Sequence, residues 1–475
     1  MIQVIDIFAG PGGLGEGFAS YKKRNLSAFK LVLSIEKDFF AFQTLRLRAF
    51  ARSLFSTGCM KIYEYYMNQD PSVLESLKMK YPSEWENAKK ETVLHELDSR
   101  NNSKTDQLIE VSLKNDRNWV LLGGPPCQAY SLVGRARRTN ESRRKFEKDK
   151  RHTLYKEYLH ILKRFKPSVF VMENVKGILS AKHKGKKIFQ KICEDLNGAG
   201  YRLFSLTGKD LLDSCGQWQK DAFVVRAEDY GIPQKRHRVF ILGVRQDIDE
   251  KPKTLKPDDQ EVPLAKAIEG LSSIRSRLSS GDIYEKWVRY RNEGLNLAGV
   301  KIQNGVSESS GGEFVPQKNN KNWFMADPNM PGVANHQSRS HFAKDVVRYA
   351  FSAAYARKHG KSPTVLEFPK RLLPNHKNLK RQNVPFIDRF KVQVFNRPAS
   401  TITSHISKDG HYYIHPDPAQ ARSLTVREAA RLQTFPDNYR FEGPRTEQYK
   451  QVGNAVPPLL ANKIAGIVAD LLKSV

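Results

Sequence analysis

The chain has 475 residues, 39% of them hydrophobic, so it can bury substantial cores and is not expected to be disordered. Its 79 Lys and Arg against 50 Asp and Glu give a formal charge of +29, which favours a polyanionic partner such as nucleic acid, although lysine can also serve solubility alone. No stretch reaches the roughly 20 apolar residues that span a bilayer. The N-terminus lacks a secretory leader pattern. The four cysteines are too dispersed for a CxxC metal site. These features indicate a soluble protein of a reducing compartment, with neither a membrane partner nor a metal.

Short apolar runs rich in β-branched residues alternate with helical patterns through the first half of the chain. The predicted strands cover residues 2–8, 30–38, 118–124, 166–175 and 236–244. A pattern typical of an amphipathic helix covers 153–165. Continuous apolar strands that alternate with helices predict an α/β fold, a doubly wound, Rossmann-like parallel sheet covered on both faces.

The remaining stretches predict an insertion and a second domain. Residues 39–96 are rich in Lys, Glu, Leu and Tyr and indicate a mostly helical insertion. Beyond residue 244 the alternation stops, and helical periodicity resumes only near the C-terminus. We therefore expect a discontinuous first domain, 1–244 plus 447–475, and a smaller, irregular domain, 245–446.

A glycine-rich turn follows the first predicted strand. Gly10, Gly12 and Gly15 satisfy G-x-G-x-x-G, in which glycine lets a ligand approach the backbone closely. Glu36 closes the second strand, where a carboxylate can hold both ribose hydroxyls of an adenosine. Asp6 favours S-adenosylmethionine over NAD, because a carboxylate disfavours a nearby pyrophosphate. The motif itself leaves both cofactors open, and a purely structural turn is the third interpretation.

A cysteine follows the third predicted strand in the sequence Gly-Gly-Pro-Pro-Cys. The two prolines restrict the direction in which Cys127 is presented at the edge of the sheet where ligands bind. Residues 134–151 hold nine Lys or Arg against three acids, and nearby cations favour the nucleophilic thiolate. We interpret Cys127 as a nucleophile rather than a buried apolar residue, and 134–151 as a loop that covers DNA.

An acid and two arginines are expected at the same edge. Glu173 ends the next strand, where partial desolvation would raise its pKa and let it donate a proton, with Asn174 beside it to orient it. Arg236 and Arg238 lie on one face of an extended segment. Each could instead be an ordinary surface ion-pair residue, but together they converge on the crevice that holds Cys127.

A thiolate, a carboxylic acid and a methyl donor suggest alkylation of an unactivated heteroaromatic carbon. The thiolate would add to C6 of a cytosine while the acid protonates N3, so that C5 becomes nucleophilic enough to take a methyl group. Since this chemistry cannot occur inside a stacked duplex, the base would have to be flipped out.

The sequence resembles the cytosine-5 DNA methyltransferases, particularly those of bacterial restriction-modification systems. The matching blocks, in the family's order, are 6–18, Glu36, 123–131, 173–177, 234–243, 397–403, 424–437 and 451–458. The resemblance implies a Rossmann-like, S-adenosylmethionine-dependent methyltransferase domain, with Cys127 as nucleophile, Glu173 as acid, and Arg236 and Arg238 at the base site.

The resemblance also implies a set of cofactor-pocket residues. They are Phe8, Gly10, Gly12, Glu36, Asp98, Pro126, Leu154 and Asn454. One departure is Lys37, which stands where some relatives carry an aromatic residue that stacks on the adenine. The segment 245–446 corresponds to the target-recognition domain, and the last helix is expected to return beside the first strand–helix unit.

The implied partners are double-stranded DNA and, acting separately, a cognate restriction endonuclease. We expect a monomer in the bacterial cytoplasm, associated with the nucleoid. Two alternative functions stay open. One is methylation of tRNA, as in another branch of the family, and the other is DNA binding without catalysis. An NAD dehydrogenase is the weakest alternative, because it leaves the thiol and the arginine pair without a task.

Overall fold

The computed structural model describes residues 1–126, 154–183, 186–302, 305, 307–317, 325–375 and 387–473. The chain folds into two units, each with its own core. The first unit comprises 1–57, 81–260 and 455–475, and the second comprises 58–80 and 261–454.

Within the described residues, eight strands form the central sheet of the first unit. They are β1 (Ile2–Ile7), β2 (Phe29–Glu36), β3 (Thr92–Leu94), β4 (Trp119–Gly123), β5 (Val169–Val175), β6 (Tyr201–Phe204), β7 (Val224–Arg226) and β8 (His237–Arg245). Their order is β3-β2-β1-β4-β5-β8-β6, with β7 also paired to β8. The first five of these pair in parallel, and β8 runs antiparallel to its neighbours. The predicted α/β, doubly wound fold is confirmed.

The helices, in chain order, are α1 (Gly13–Ala19), α2 (Phe39–Ser56), α3 (Ile62–Asn68), α4 (Pro71–Lys80), α5 (Pro82–Glu91), α6 (Asn102–Leu113), α7 (Leu154–Phe165), α8 (Ile188–Gly198), α9 (Leu264–Ile268), α10 (Tyr284–Leu297), α11 (Ala343–His359), α12 (Val426–Leu432), α13 (Arg445–Asn454) and α14 (Pro458–Leu471). No helix of the described ranges is long and apolar enough to cross a membrane.

Both faces of the sheet are buried, as the continuous apolar strands require. Side chains of successive strand residues point to opposite faces, so Val4 and Ile5 belong to different core clusters. Leu121 and Leu122 divide between the same two clusters. This packing explains why the sequences of the parallel strands are unbroken apolar runs and do not alternate between apolar and polar residues.

The stretch 39–96 is mostly helical, but it does not form a single insertion. Helices α2 and α5 belong to the first unit, and Thr92–Leu94 is the edge strand β3, paired in parallel with β2. Helices α3 and α4 belong to the second unit, where the Tyr63 hydroxyl donates to the Asp327 carboxylate. A sequence pattern of helices cannot show which core each one joins.

The two units also divide at different residues from those expected from the sequence, 260/261 instead of 244/245 and 454/455 instead of 446/447. Residues 245–260 stay with the first unit because Ile248 and Leu255 are buried in the core on one face of the sheet. Helix α13 stays with the second unit, where the buried Tyr449 hydroxyl donates to the Leu424 carbonyl at 2.6 Å.

The second unit combines helices with short strands. Helix α10 packs against α11, and two strands, β9 (Gly311–Pro316) and β10 (Gly332–Gln337), pair antiparallel. Helix α12 is buried on all sides, and its N-terminus is closed by reciprocal hydrogen bonds between Thr425 and Glu428.

Helix α1, which follows the glycine-rich turn, packs closely against the last helix. A Cβ atom placed on Gly17 would lie 2.3 Å from Ala461 Cβ, and one on Gly13 would lie 2.1 Å from the Val456 carbonyl oxygen. Glycine at these positions therefore permits the contact between α1 and α14.

A buried ion network attaches α1 to α2. Arg48 binds the Glu16 carboxylate through Nε, at 3.0 Å, and through a second guanidinium nitrogen. Arg52 reaches the same carboxylate at 3.3 Å. These cations hold the pKa of Glu16 below its usual value in spite of its burial.

We predict that Arg48→Met lowers the free energy of unfolding by about 3 kcal/mol, because it removes the main partner of a buried carboxylate. Urea denaturation of the full chain measures the change. Lys23→Met is the matched control, since its ion pair with Asp470 is one-third exposed and is worth less than about 1 kcal/mol. Equal and small losses in the two variants would contradict the prediction.

Candidate active site

The loop after β1 has an unusual backbone. Phe8, Gly10 and Gly12 have φ angles of 56°, 58° and 94°. A bulky residue such as Phe8 is strained at positive φ, and such strain persists only where the surroundings impose it, commonly at a functional site. A Cβ on Gly10 would meet no atom within 4 Å, so the loop borders open space at this residue.

Glu36, at the carboxyl end of β2, holds this loop. Its Oε2 accepts a hydrogen bond from the Gly10 amide at 2.7 Å, and its Oε1 accepts from the Lys37 and Asp38 amides at 2.8 and 2.7 Å. Burial raises the pKa of Glu36, although these amides oppose the shift. Each carboxylate oxygen has two lone pairs, so Oε2, which among the described residues accepts only from the Gly10 amide, can accept one further hydrogen bond from a ribose hydroxyl.

Asp6 is buried beneath the same loop. Its Oδ2 accepts a hydrogen bond from the Gly15 amide at 3.2 Å. Burial raises the pKa of Asp6 to about 7, the Gly15 hydrogen bond opposes the shift, and the Glu36 charge adds to it. Two carboxyl groups beside one glycine loop fit a phosphate-free adenosine cofactor and disfavour a pyrophosphate. S-Adenosylmethionine, the cofactor implied by the sequence, therefore fits the residues present.

A cavity of about 370 Å³ opens at the carboxyl ends of β2 and β3. It is lined by Lys37, Asp38, Leu94, His95 and Glu96. The His95 amide donates to the Glu36 carbonyl at 2.9 Å, which fixes the cavity to the strand that ends in Glu36. Open α/β sheets bind ligands at this edge.

The other expected cofactor residues are placed differently. The Asp98 carboxylate caps the turn at 99–101 and pairs with the Arg100 guanidinium at 2.8 Å. Pro126 and Leu154, on either side of the undescribed stretch, are half-buried. Asn454 is exposed at the end of α13, in the second unit. Thus the structure joins Glu36 to the glycine loop, whereas the Asp98 carboxylate is bound to Arg100.

Glu173 lies where β4 and β5 end side by side. The two strands are in parallel register, with Gly123 opposite Met172. A Cβ placed on Gly124 would lie 3.2 Å from Glu173 Oε2, so the carboxyl group packs against the chain three residues before Cys127. Arg238 Nε lies 3.1 Å from Glu173 Oε1, and both side chains are largely buried.

Burial sets the protonation of Glu173. Desolvation raises its pKa, while the positive charges of Arg238 and then Arg236 lower it, and the net pKa is above the ordinary value. The sequence-based expectation of a desolvated acid at this strand end therefore agrees with its surroundings. A raised pKa shifts the Glu173 carboxyl toward its protonated form, which is the form that can donate a proton.

Asn174 makes different hydrogen bonds from those expected of a residue that orients Glu173. Its Nδ2 donates to the Pro125 carbonyl at 3.1 Å, and its Oδ1 accepts from the Val175 amide at 2.8 Å. Asn174 therefore ties the Pro-Pro segment to β5 instead of orienting the acid. No local pattern indicates this contact, because it joins residues 49 positions apart.

Arg238 lies at the start of β8, and Arg236 immediately precedes that strand. Arg238 is opposite Val175 in the antiparallel pair of β8 with β5, and its Nη1 donates to the His237 carbonyl at 2.9 Å. Arg236 is buried, and its carbonyl accepts from the Ala227 amide at 3.0 Å. Both charges act on Glu173, so the structure brings the acid and the arginine pair together.

Cys127, the expected nucleophile, lies outside the described residues, as does the basic segment 134–151. The described part of the motif, 123–126, leads directly to it from β4. The contact of Gly124 with Glu173 was not predicted from the sequence, although the second glycine of the Gly-Gly pair was an available signal for it. The cavity beside residues 94–96 was not predicted either.

Comparisons with known proteins identify the family to which the chain belongs. The model of the family described as C-5 cytosine-specific DNA methylase matches residues 74–469. Type II methyltransferase M.Bpa9945I of Bacillus paralicheniformis is 35% identical, over 99% of this chain and 99% of that protein. Type II methyltransferase M.DdeI of Desulfomicrobium norvegicum is 28% identical, over 98% of this chain and 88% of its own length.

A solved structure shares the fold. It is a prophage-encoded E. coli protein described as a DNA modification methyltransferase, with a TM-score of 0.57 and 21% identity over the whole of both chains. At that identity the similarity concerns the fold alone.

We predict that Arg238→Met raises the pKa of Glu173 further, because it removes the nearest cation that favours the carboxylate. Difference infrared spectroscopy of the carboxyl stretch, with Glu173→Gln to identify the band, follows the titration. Arg226→Met, which removes a half-exposed cation beside Glu228, should leave the midpoint unchanged. An unchanged or lower midpoint in Arg238→Met would show that Arg238 does not control this acid.

Proposed function

The chain belongs to the C-5 cytosine-specific DNA methylase family and is a DNA (cytosine-5-)-methyltransferase, and we propose that it methylates C5 of a flipped-out cytosine through a covalent bond between Cys127 and C6. The methyl donor is S-adenosylmethionine and the substrate a short duplex DNA sequence. The observation that carries this proposal is the Glu173 carboxyl, with a raised pKa, packed against Gly124 in the segment that leads to Cys127.

The proposed reaction begins with nucleophilic addition. The Cys127 thiolate forms a bond to C6, and Glu173 delivers its proton to N3, so that the electron pair of the C5–C6 bond is held in an enamine. S-Adenosylmethionine, when bound, supplies an electrophilic methyl group for C5. Loss of the C5 proton to a base then expels the Cys127 thiolate from C6, and the N3 proton returns to the Glu173 carboxylate.

Arg238 and Arg236 support the acid and the base in this scheme. Their charges limit how far burial raises the pKa of Glu173, which keeps its proton transferable in both directions. A guanidinium beside the carboxyl can also orient the cytosine and stabilise the charge that develops on it.

The cofactor would be held by residues from the glycine loop and the strand ends. The proposed set is Phe8, Gly10, Gly12, Glu36, Asp98, Pro126, Leu154 and Asn454. Glu36 would accept a ribose hydroxyl at Oε2 while it keeps its hydrogen bond to the loop. The open space beside Gly10 and the paired carboxyls of Asp6 and Glu36 support an adenosine without phosphates.

The second unit, including its basic residues between 369 and 385, is proposed to recognise the DNA sequence. Contacts between such residues and phosphates fix the position of a protein on DNA, while contacts to base edges select the sequence. We propose that the enzyme acts as a monomer on nucleoid DNA in the bacterial cytoplasm, and that a separate restriction endonuclease cleaves the same sequence when it is unmethylated.

We predict that bisulfite sequencing of DNA from a host expressing the protein reveals protected cytosines in one short motif. Cys127→Ala should leave none, because the adduct at C6 cannot form. Complete conversion of cytosine in both samples would remove the proposal, and protected cytosines confined to tRNA would assign the protein to the tRNA-modifying branch.

We further predict that duplex DNA with 5-fluorocytosine at the target traps the protein covalently, since the fluorine at C5 cannot leave as a proton does. A denaturing gel shows the adduct as a band of lower mobility that requires S-adenosylmethionine. The band should be lost in Cys127→Ala and weakened at least ~100-fold in rate of formation in Glu173→Gln, which cannot donate the acid proton. An adduct that persists in Cys127→Ala would identify a different nucleophile.

A further inference from the structure

A buried acid lies beside the segment that carries Arg236 and Arg238. His237 stands between these two arginines in the chain. Its Nε2 lies 2.7 Å from Glu228 Oε1. Because side chains alternate along a strand, His237 and Arg238 point to opposite sides of β8. The Glu228–His237 pair therefore does not face Glu173, and the proposed reaction gives it no part.

The Glu228 carboxyl is buried with few partners. Glu228 is 1% exposed, and its Oε2 is buried without a hydrogen-bond donor among the described residues. The Arg226 guanidinium is half-exposed, with its Nε 3.5 Å from Oε1, so His237 is the closer partner. A buried carboxyl with an unpaired oxygen lowers the stability of the fold, and an apolar residue of similar volume would avoid this cost. The presence of Glu228 therefore calls for a role other than stability.

Glu228 and His237 close the turn between β7 and β8. These two strands pair antiparallel. Glu228 belongs to the single turn of 3-10 helix Ala227–Tyr230, and the amide of Ala227 donates to the Arg236 carbonyl at 3.0 Å. A backbone hydrogen bond thus holds the peptide group before His237, and the Glu228 carboxyl holds the His237 side chain.

The peptide group after His237 orients Arg238. Arg238 Nη1 donates to the His237 carbonyl at 2.9 Å, while its Nε lies 3.1 Å from Glu173 Oε1. The direction of the guanidinium is therefore set by the carbonyl of the residue that Glu228 binds. If the backbone of His237 turned, this carbonyl would move and the guanidinium would lose the hydrogen bond.

We propose that Glu228, acting through His237, is a positioning residue that holds the Arg238 guanidinium against the Glu173 carboxyl. The inference rests on the proposed function, in which Glu173 is the acid that serves N3 of the cytosine. Glu228 and His237 touch neither the base nor the cofactor in this scheme, and they fix the peptide group from which Arg238 is directed. A carboxyl is needed at residue 228 because a hydrogen-bond acceptor is what fixes the imidazole.

The sign of the effect follows from the charges around Glu173. Burial raises the pKa of Glu173, and the positive charges of Arg238 and Arg236 lower it. A guanidinium released from its place would oppose burial less, so the pKa of Glu173 would rise. Loss of the negative charge of Glu228 would by itself have the opposite effect, because a nearby anion raises the pKa of an acid. The direction of the change therefore separates positioning from charge.

The test compares Glu228→Leu with Glu228→Gln in the full chain. Glutamine keeps an acceptor for His237 without the charge, whereas leucine removes both. Difference infrared spectroscopy should show a higher titration midpoint for Glu173 in Glu228→Leu, in the direction of Arg238→Met but by less, and no rise in Glu228→Gln. In adduct formation with 5-fluorocytosine DNA, the descending limb of the pH profile reports loss of the acid proton. This limb should move to higher pH in Glu228→Leu alone.

Two further variants test whether the effect passes through Arg238. In the Arg238→Met background, Glu228→Leu should change the midpoint no further, because effects that act through one residue are not additive. Asp229→Asn removes a neighbouring, more exposed carboxylate that lies 3.6 Å from Arg226, and it should leave the midpoint unchanged. Thermal unfolding of each variant verifies that the fold is intact, as expected when an apolar residue replaces a buried carboxyl together with its charge.

The outcomes are distinct. If the wild type forms no adduct, the proposed function fails, and the infrared midpoints still decide whether Glu228 acts on Glu173. If the wild type forms the adduct but Glu228→Leu keeps the wild-type midpoint and pH profile, the inference is overturned and the proposed function stands. An equal lowering of the midpoint in both Glu228 variants would show an effect of charge alone. An effect additive with Arg238→Met would show a loss of packing, and either of these results would overturn the inference.

Discussion

The candidate site depends on the packing of the Glu173 carboxyl against Gly124, at the point where two parallel strands end side by side. The register of β4 with β5 brings the carboxyl against residue 124, where a Cβ would lie 3.2 Å from Oε2 and would force the carboxyl to shift by a few tenths of an ångström. Asn174 adds a hydrogen bond to the Pro125 carbonyl. The segment that leads to Cys127 and the strand that carries Glu173 are therefore held as one edge, which would preorganise the proposed proton transfer to a bound base.

Three buried carboxyl groups at this edge differ in their partners. Burial raises the pKa of Asp6, Glu36 and Glu173 alike. Backbone amides oppose the shift at Asp6 and Glu36, which suits groups that fix a loop and accept hydrogen bonds from a neutral ligand. Guanidinium groups oppose it at Glu173, which suits a group that exchanges a proton while charge develops nearby. Buried carboxyl groups thus fit two different tasks: Asp6 and Glu36 suit the positioning of a loop and a ligand, and Glu173 suits the proposed acid–base chemistry.

The second unit shows why the number of cationic residues alone is a coarse guide to a binding surface. Arg422, Arg427 and Arg431 are fully buried around α12, so they add to that number without contributing to the surface. Arg422 pairs with Glu428 and Arg431 with Asp437, each through two hydrogen bonds of 2.9 Å or less. Buried pairs of this kind specify how segments meet, and because each pair is neutral it adds to the count of 79 Lys and Arg but nothing to the net charge of +29.

The sequence by itself predicted five of the eight described strands of the sheet, the glycine turn, and Glu36, Glu173 and the arginine pair as candidate site residues, because these depend on local pattern and on the rule that parallel strands end at a common edge. The strands β3, β6 and β7 were not predicted, because three or four residues carry too little periodicity. Only the tertiary structure decided that Asn174 binds Pro125, that α3 and α4 join the second unit, and that Lys37 and Glu96 line one cavity. Those outcomes arise from contacts between residues far apart in the chain, where the periodicity of a segment carries no information about which core or which partner it will meet.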